Sequence, residues 1–204
     1  MGLANYITFI RIFVSPIFLL LYISHEALNI SKTLLPCILL VLLSISELSD
    51  VCDGYIARKY NEVSDFGKIF DPMADSIART SVLLTFTQPP VSLPLPLIFI
   101  FLYRDSVIST LRTICALRGF ALAARMSGKI KAVVQGVSSF AILALMLLQA
   151  TDKISLEQLQ NFSMYIVAAA AIYTLMSGVD YIYANRKYVS KLLSMREKHE
   201  KRSV

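Results

Sequence analysis

The sequence predicts an all-α protein: a polytopic membrane bundle of six transmembrane helices with a short N-terminal amphipathic lead-in. Three observations carry that prediction. The 204-residue chain is 56% hydrophobic and only 17% charged, against the roughly 25% charged that is usual for soluble domains. Residues 80–103, 132–151 and 158–179 contain no Asp, Glu, Lys or Arg, and about 20 apolar residues suffice for one helical crossing of a bilayer. Prolines and charged clusters divide the apolar runs into six segments. The length suits one domain or one compact membrane bundle.

Residues 1–11 form the lead-in, where Asn5, Thr8 and Arg11 follow a three-residue step that places them on one side of a helix. Residues 12–24 make the first span. They lack a small-residue cleavage site, so they read as a retained span and not as a signal peptide. Residues 25–32 are a polar loop, and the second span runs from Thr33 to about Ala57. The third begins near Phe66 and carries Asp71, Asp75 and Arg79 in its first half. Pro89, Pro90, Pro94 and Pro96 break the helix and make the next turn. The fourth span runs to about Leu117, and residues 118–131, with Gly119 and Gly128, form a basic connection to the fifth. A polar loop with Thr151, Asp152, Lys153 and Glu157 leads to the sixth span, which ends near Tyr181. Residues 1–185 are thus the membrane domain and 186–204 a basic cytoplasmic tail. Cys37, Cys52 and Cys115 have no metal-type spacing and are expected to be buried thiols.

Six spans put both termini on one side. That side holds Arg58, Lys59, Lys68, the bases between 112 and 131, and those of the tail, while the opposite side holds only Lys32 and Lys153. By the positive-inside rule the basic side is cytoplasmic, so the chain is expected in the inner, cytoplasmic membrane as a multi-pass protein. The formal net charge of +6 has its explanation there, and no nucleic-acid partner is expected.

Four of the five aspartates between residues 50 and 75 fall in two pairs. Asp50 and Asp53 are spaced i, i+3 and Asp71 and Asp75 i, i+4, so each pair shares a helix face. A charge at the centre of a membrane helix costs about 2.5–3.5 kcal/mol, so four facing lipid would cost on the order of 10 kcal/mol. They are expected to face the bundle interior or a water-filled cavity. Two carboxylates ~4 Å apart repel by about 4 kcal/mol at an effective dielectric near 20, so either some are protonated or divalent cations neutralise them. Pairing with Arg58, Lys68 and Arg79 is the competing way to balance the charge, but those bases are few and mostly at helix ends. Oxygen-only ligands select Mg²⁺, Mn²⁺ or Ca²⁺ over zinc. Four carboxylates balance two such ions, and a two-metal clamp suits displacement at phosphorus. Gly54, Ala57 and Gly67 leave room for a bulky ligand, Arg58 offers a rigid fork for a phosphate, and Ser64 is a further donor.

The pattern Asp50-x2-Asp53-Gly54-x2-Ala57-Arg58-x8-Gly67-x3-Asp71-x3-Asp75 resembles, without departure, the signature of the CDP-alcohol phosphotransferases. That resemblance implies a six-helix membrane bundle, a homodimer, and two Mg²⁺ (or Mn²⁺) ions held by Asp50, Asp53, Asp71 and Asp75. It implies a CDP-lipid site at Asp53, Gly54, Ala57, Arg58, Ser64 and Gly67, with Asn5 and Thr8 assisting, and Asp75 as general base.

The acceptor depends on the second half of the chain. Arg104, Arg112, Arg118 and Lys129 stand around the cytoplasmic ends of the fourth and fifth spans, and Arg104, Arg112 and Lys129 could converge beside the aspartates to hold a second phosphate. Ordinary positive-inside loop charge is the other reading of such bases, Arg118, Arg125 and Lys131 in particular. With Asn5-x2-Thr8-x2-Arg11, the cluster resembles the branch of the family that transfers a phosphatidyl group from CDP-diacylglycerol to glycerol 3-phosphate. Ser76 departs from that branch, where Lys often follows the fourth aspartate, and Glu47 is an extra acid one turn before Asp50. Phosphatidylglycerol, inositol phosphate and serine are the rival acceptors. A cation transporter is the rival of another class, but it would spread its acids across membrane depth and show an inverted repeat. A membrane scaffold would leave the carboxylates unexplained.

Overall fold

A computed structural model of the chain describes residues 3–59, 65–117 and 125–186, with side chains described for 11–50, 72–117 and 125–186. The described residues form six α-helices and no strand: α1 Leu3–Ser24, α2 Leu34–Lys59, α3 Asp65–Thr85, α4 Leu95–Leu117, α5 Met126–Ala150 and α6 Leu156–Ala184. All but one residue of the tail, Arg186, lies outside them.

The lead-in is helical without a break into the first span, so the two are one helix. Pro16 lies inside α1 and cannot donate to the Ile12 carbonyl. The Ser15 hydroxyl donates to that oxygen instead, at 3.0 Å. The predicted proline break is present: α3 ends at Thr85 and α4 begins at Leu95, with a cis bond between Pro89 and Pro90. Aromatic packing anchors this turn to α1. Phe86 meets Phe18 and Tyr22 edge-on at centroid distances of 5.9 and 6.0 Å, and the Tyr22 hydroxyl donates to the Gln88 carbonyl at 3.1 Å.

The expected connection at 118–131 is shorter than its sequence suggested. Arg125 is extended and α5 begins at Met126, which puts Lys129 and Lys131 on the helix. One glycine costs a helix only about 1 kcal/mol, and the Ser127 hydroxyl ties this first turn to Asp180 of α6 at 2.7 Å. The start of α6 is fixed by a reciprocal cap: Ser155 Oγ accepts from the Gln158 N–H at 3.1 Å, and Gln158 Oε1 accepts from the Ser155 N–H at 2.9 Å.

In the bundle α1 packs on α2 and α3, α5 on α6 and α2, and α4 on α3 and α6. Every helix sends a side chain into one buried core: Phe18, Leu39, Leu83, Phe101, Ile142 and Val167. The outer faces are also apolar, with Leu20, Val41, Tyr103, Val137 and Ile172 exposed. Met126–Ala150 and Leu156–Ala184 are long and apolar enough to cross a membrane. Arg11–Ser24 of α1 is a shorter apolar stretch, and α2, α3 and α4 carry charged residues. Cys115 is buried as expected, but Cys37 is exposed, because it stands on the outward face of α2. The Cys52 side chain lies outside the described residues.

Candidate active site

The apolar core occupies the end of the bundle toward the α3–α4 turn, and the charged side chains gather toward the other. Glu47 and Asp50 are three residues apart on α2, and Asp75 and Arg79 four apart on α3, so each pair shares a face. α1 brings Arg11 between them. Its Nη1 donates to Asp50 Oδ1 at 3.1 Å and to Asp75 Oδ1, and its Nε reaches Ser49 Oγ at 3.5 Å. Arg79 closes the cluster from the other side. Its Nε donates to Glu47 Oε1 at 3.2 Å, and its Nη2 donates to Glu47 Oε2 at 3.2 Å and Asp50 Oδ2 at 3.1 Å. Arg11 is only 3% exposed, whereas the Asp50 and Asp75 side chains keep 32% and 23% of their surface. The carboxylates are therefore cation-bound and still reachable. A void of about 10 Å³ among these groups has room for one water at most.

A second space, about 440 Å³, opens beside Asp75 and Arg79 and runs between α3, α4 and α5. Arg104, Arg112 and Lys131 line it. At its wall lies Asp105, 6% exposed, which accepts from Lys131 Nζ at 2.7 and 2.6 Å, from Ser76 Oγ at 2.9 Å and from Arg104 Nη1 at 3.1 Å. Arg104 Nη2 also donates to Ser177 Oγ of α6 at 2.9 Å. This crossing needs Gly178, where a Cβ would come within 3.1 Å of Arg104 Cγ. Arg112 is differently placed. It lies over the Tyr181 ring at 5.9 Å and has no hydrogen bond or ion pair among the described residues. A guanidinium held only by stacking keeps its N–H donors for a ligand.

Asp50, Asp75, Arg104 and Arg112 are thus brought to one region. Lys129 is exposed and does not line the cavity, while Lys131, two residues on, does. Asn5, Thr8, Asp53, Gly54, Ala57, Arg58, Gly67 and Asp71 sit on α1, α2 and α3, but their side chains lie outside the described residues. Ser64 and Arg118 lie outside them altogether. Two groups emerge that the sequence alone left unassigned. Glu47 holds Arg79, and Asp105 binds Lys131. The available signal was an acid within an apolar helix, which is costly unless paired.

Ion pairing, set aside on the sequence because bases seemed too few, does occur: Arg11 and Arg79 pair with Asp50 and Asp75. Among the described residues no three His, Cys, Asp or Glu side chains are grouped to hold a metal ion. Asp50 and Asp75 nonetheless converge from two helices on one cationic group, Arg11 Nη1. Their all-oxygen donor set fits a hard divalent ion.

The described residues form an all-helical bundle with apolar outer faces and a cation-lined cavity with a carboxylate at its edge. Residues 1–177 match the family model of the CDP-alcohol phosphatidyltransferases. The chain is similar to the CDP-diacylglycerol–glycerol-3-phosphate 3-phosphatidyltransferase of Rickettsia felis, 34% identical over 188 residues, which is 92% of this chain and 97% of that protein. It is similar also to the protein of the same name from Bacillus subtilis, 30% identical over 190 residues, 90% of this chain and 95% of that one. The chain belongs to the CDP-alcohol phosphatidyltransferase family.

Proposed function

We propose that the protein transfers the phosphatidyl group of CDP-diacylglycerol to sn-glycerol 3-phosphate, giving phosphatidylglycerophosphate and CMP. One observation carries the choice of a phosphate-bearing acceptor. Asp75 and Arg112 line the same cavity of about 440 Å³, so a group that takes a proton and a cation with N–H donors to offer face one small ligand. An acceptor with a hydroxyl at one end and a phosphate at the other suits that spacing of roles. The relatives named above support the same reading.

In this mechanism Arg112 orients the acceptor by its phosphate, with Arg104 and Lys131 adding positive charge around it. Asp75 accepts the proton of the acceptor hydroxyl, whose oxygen attacks the lipid-bearing phosphorus in line. The bond from that phosphorus to the CMP oxygen breaks, and CMP leaves with the electron pair. Asp50, Asp53, Asp71 and Asp75 would hold two Mg²⁺ or Mn²⁺ ions, which supply the charge neutralisation that lets an anionic oxygen approach a diphosphate. Arg58, Gly54, Ala57, Ser64 and Gly67 would hold the CDP end, with Asn5 and Thr8 assisting.

The same reading makes all six helices transmembrane and places the protein in the cytoplasmic membrane, with the site and both termini on the cytoplasmic side. The exposed apolar faces of the helices support burial in lipid. The bases gathered at the charged end support its orientation. The family resemblance makes the working unit a homodimer. Mass spectrometry of the lipids formed from CDP-diacylglycerol, Mg²⁺ and glycerol 3-phosphate by the purified protein tests the reaction. Phosphatidylglycerophosphate is the expected product, and its absence would overturn the proposal.

A further inference from the structure

Glu47 and Arg79 are charged residues of the carboxylate cluster to which the transfer mechanism above gives no role. Glu47 grips Arg79 at two points, Nε and Nη2, each at 3.2 Å, a fork geometry that fixes the plane of a guanidinium. Nη2 also donates to Asp50 at 3.1 Å. These bonds occupy Nε–H and both hydrogens of Nη2. Nη1 is left, 3.9 Å from Asp75 Oδ2, which is beyond hydrogen-bond reach. It makes no hydrogen bond among the described residues. The Arg79 side chain keeps 14% of its surface and lines both the small void beside Glu47 and the 440 Å³ cavity. Glu47 in turn lies against bare backbone of α5, since a Cβ on Gly136 would stand 3.7 Å from its carboxylate.

We infer that Arg79 is a specificity-determining cation of the acceptor cavity. Nη1 donates to an oxygen of the acceptor's phosphate, and Glu47 is the positioning residue that keeps it aimed there. The inference rests on the proposed transfer to glycerol 3-phosphate and adds a residue that the acceptor cluster read from the sequence did not contain. Arg104 and Lys131 face Asp105, and Arg79 faces Glu47, Asp50 and Asp75, but its Nη1, like Arg112, makes no hydrogen bond among the described residues and can donate to a ligand. Without the negative charge of Glu47, Arg79 would turn its whole fork toward Asp50 and Asp75. The acceptor would lose a partner, while the CDP-lipid would not.

The test uses the full chain in mixed micelles, with initial rates of CMP release at varied glycerol 3-phosphate and varied CDP-diacylglycerol. Calorimetric binding of glycerol 3-phosphate is the second reading. The variants are Arg79→Met, Glu47→Gln and the double variant Glu47→Leu/Arg79→Met, which strands neither charge and guards against a folding failure. Loss of one charge-assisted bond predicts a rise of about tenfold or more in the KM for glycerol 3-phosphate in Arg79→Met, with the KM for CDP-diacylglycerol within about twofold. Glu47→Gln should give a smaller rise in the same constant, and the double variant should match Arg79→Met. A double variant with the wild-type KM would reduce the pair to a structural ion pair and overturn the inference. So would a loss confined to the CDP-diacylglycerol KM. If the unaltered protein releases no CMP with glycerol 3-phosphate, the transfer reading itself fails. The calorimetry then decides Arg79 alone: equal affinity in the unaltered protein and Arg79→Met overturns its role, and weaker affinity in the variant supports it.

Discussion

Lys131 Nζ stands 2.6 and 2.7 Å from the two carboxylate oxygens of Asp105, and both side chains are more than nine-tenths buried. The pair joins α4 to α5 and forms the wall of the cavity. Removing one partner leaves an uncompensated buried charge, which typically costs about 3–5 kcal/mol, whereas removing both is often near neutral. Asp105→Asn should therefore lower stability by about that amount, read from denaturant unfolding in micelles, and Asp105→Asn/Lys131→Met should recover most of it.

Asp75 is the carboxylate that belongs to both the cluster and the cavity. Asp75→Asn keeps the shape of the side chain and removes its ability to take a proton. Turnover should fall about 10²–10⁴-fold, the usual contribution of a positioned base. Binding of CDP-diacylglycerol, measured by calorimetry, should persist.

Arg112 reaches the cavity with its donors uncommitted and only the Tyr181 ring behind it. Arg112→Ala should raise the KM for glycerol 3-phosphate about 10- to 100-fold, corresponding to about 1.5–3 kcal/mol for charged hydrogen bonds. The KM for CDP-diacylglycerol should stay near its wild-type value. Steady-state kinetics with each substrate varied separates the two.

Asp50 and Asp75 now share Arg11 and Arg79. If they also hold divalent ions, chelation should abolish CMP release and added Mg²⁺ should restore it. Asp50→Asn should raise the Mg²⁺ concentration needed for half-maximal rate. Titration of activity against free Mg²⁺ is the measurement.

Much of the bundle was legible because its signals are local. The Pro89-Pro90 break, the charge-free runs of α5 and α6, and the helical spacing of Asp75 and Arg79 all follow from neighbouring residues. What stayed hidden depends on helix phase and long-range contact. Lys129 and Lys131 differ by two residues, which is about 200° around a helix, so the way α5 packs against α4 decides which one turns inward. Glu47 and Arg79 are 32 residues apart, and Arg11 and Asp75 are 64 apart. No spacing rule joins them. The surplus of acids was visible in the sequence, but the bases that answer it became visible only when α1, α2 and α3 came together.

The most direct measurement is CMP release from labelled CDP-diacylglycerol with Mg²⁺, run in parallel with glycerol 3-phosphate, inositol phosphate, phosphatidylglycerol and serine. A cavity that pairs Asp75 with Arg112 predicts release with glycerol 3-phosphate at least about tenfold faster than with serine or phosphatidylglycerol, which lack a phosphate monoester, because a site built for one polar group rejects analogues that lack it. Release with serine alone, or no release with any of the four, would contradict the account.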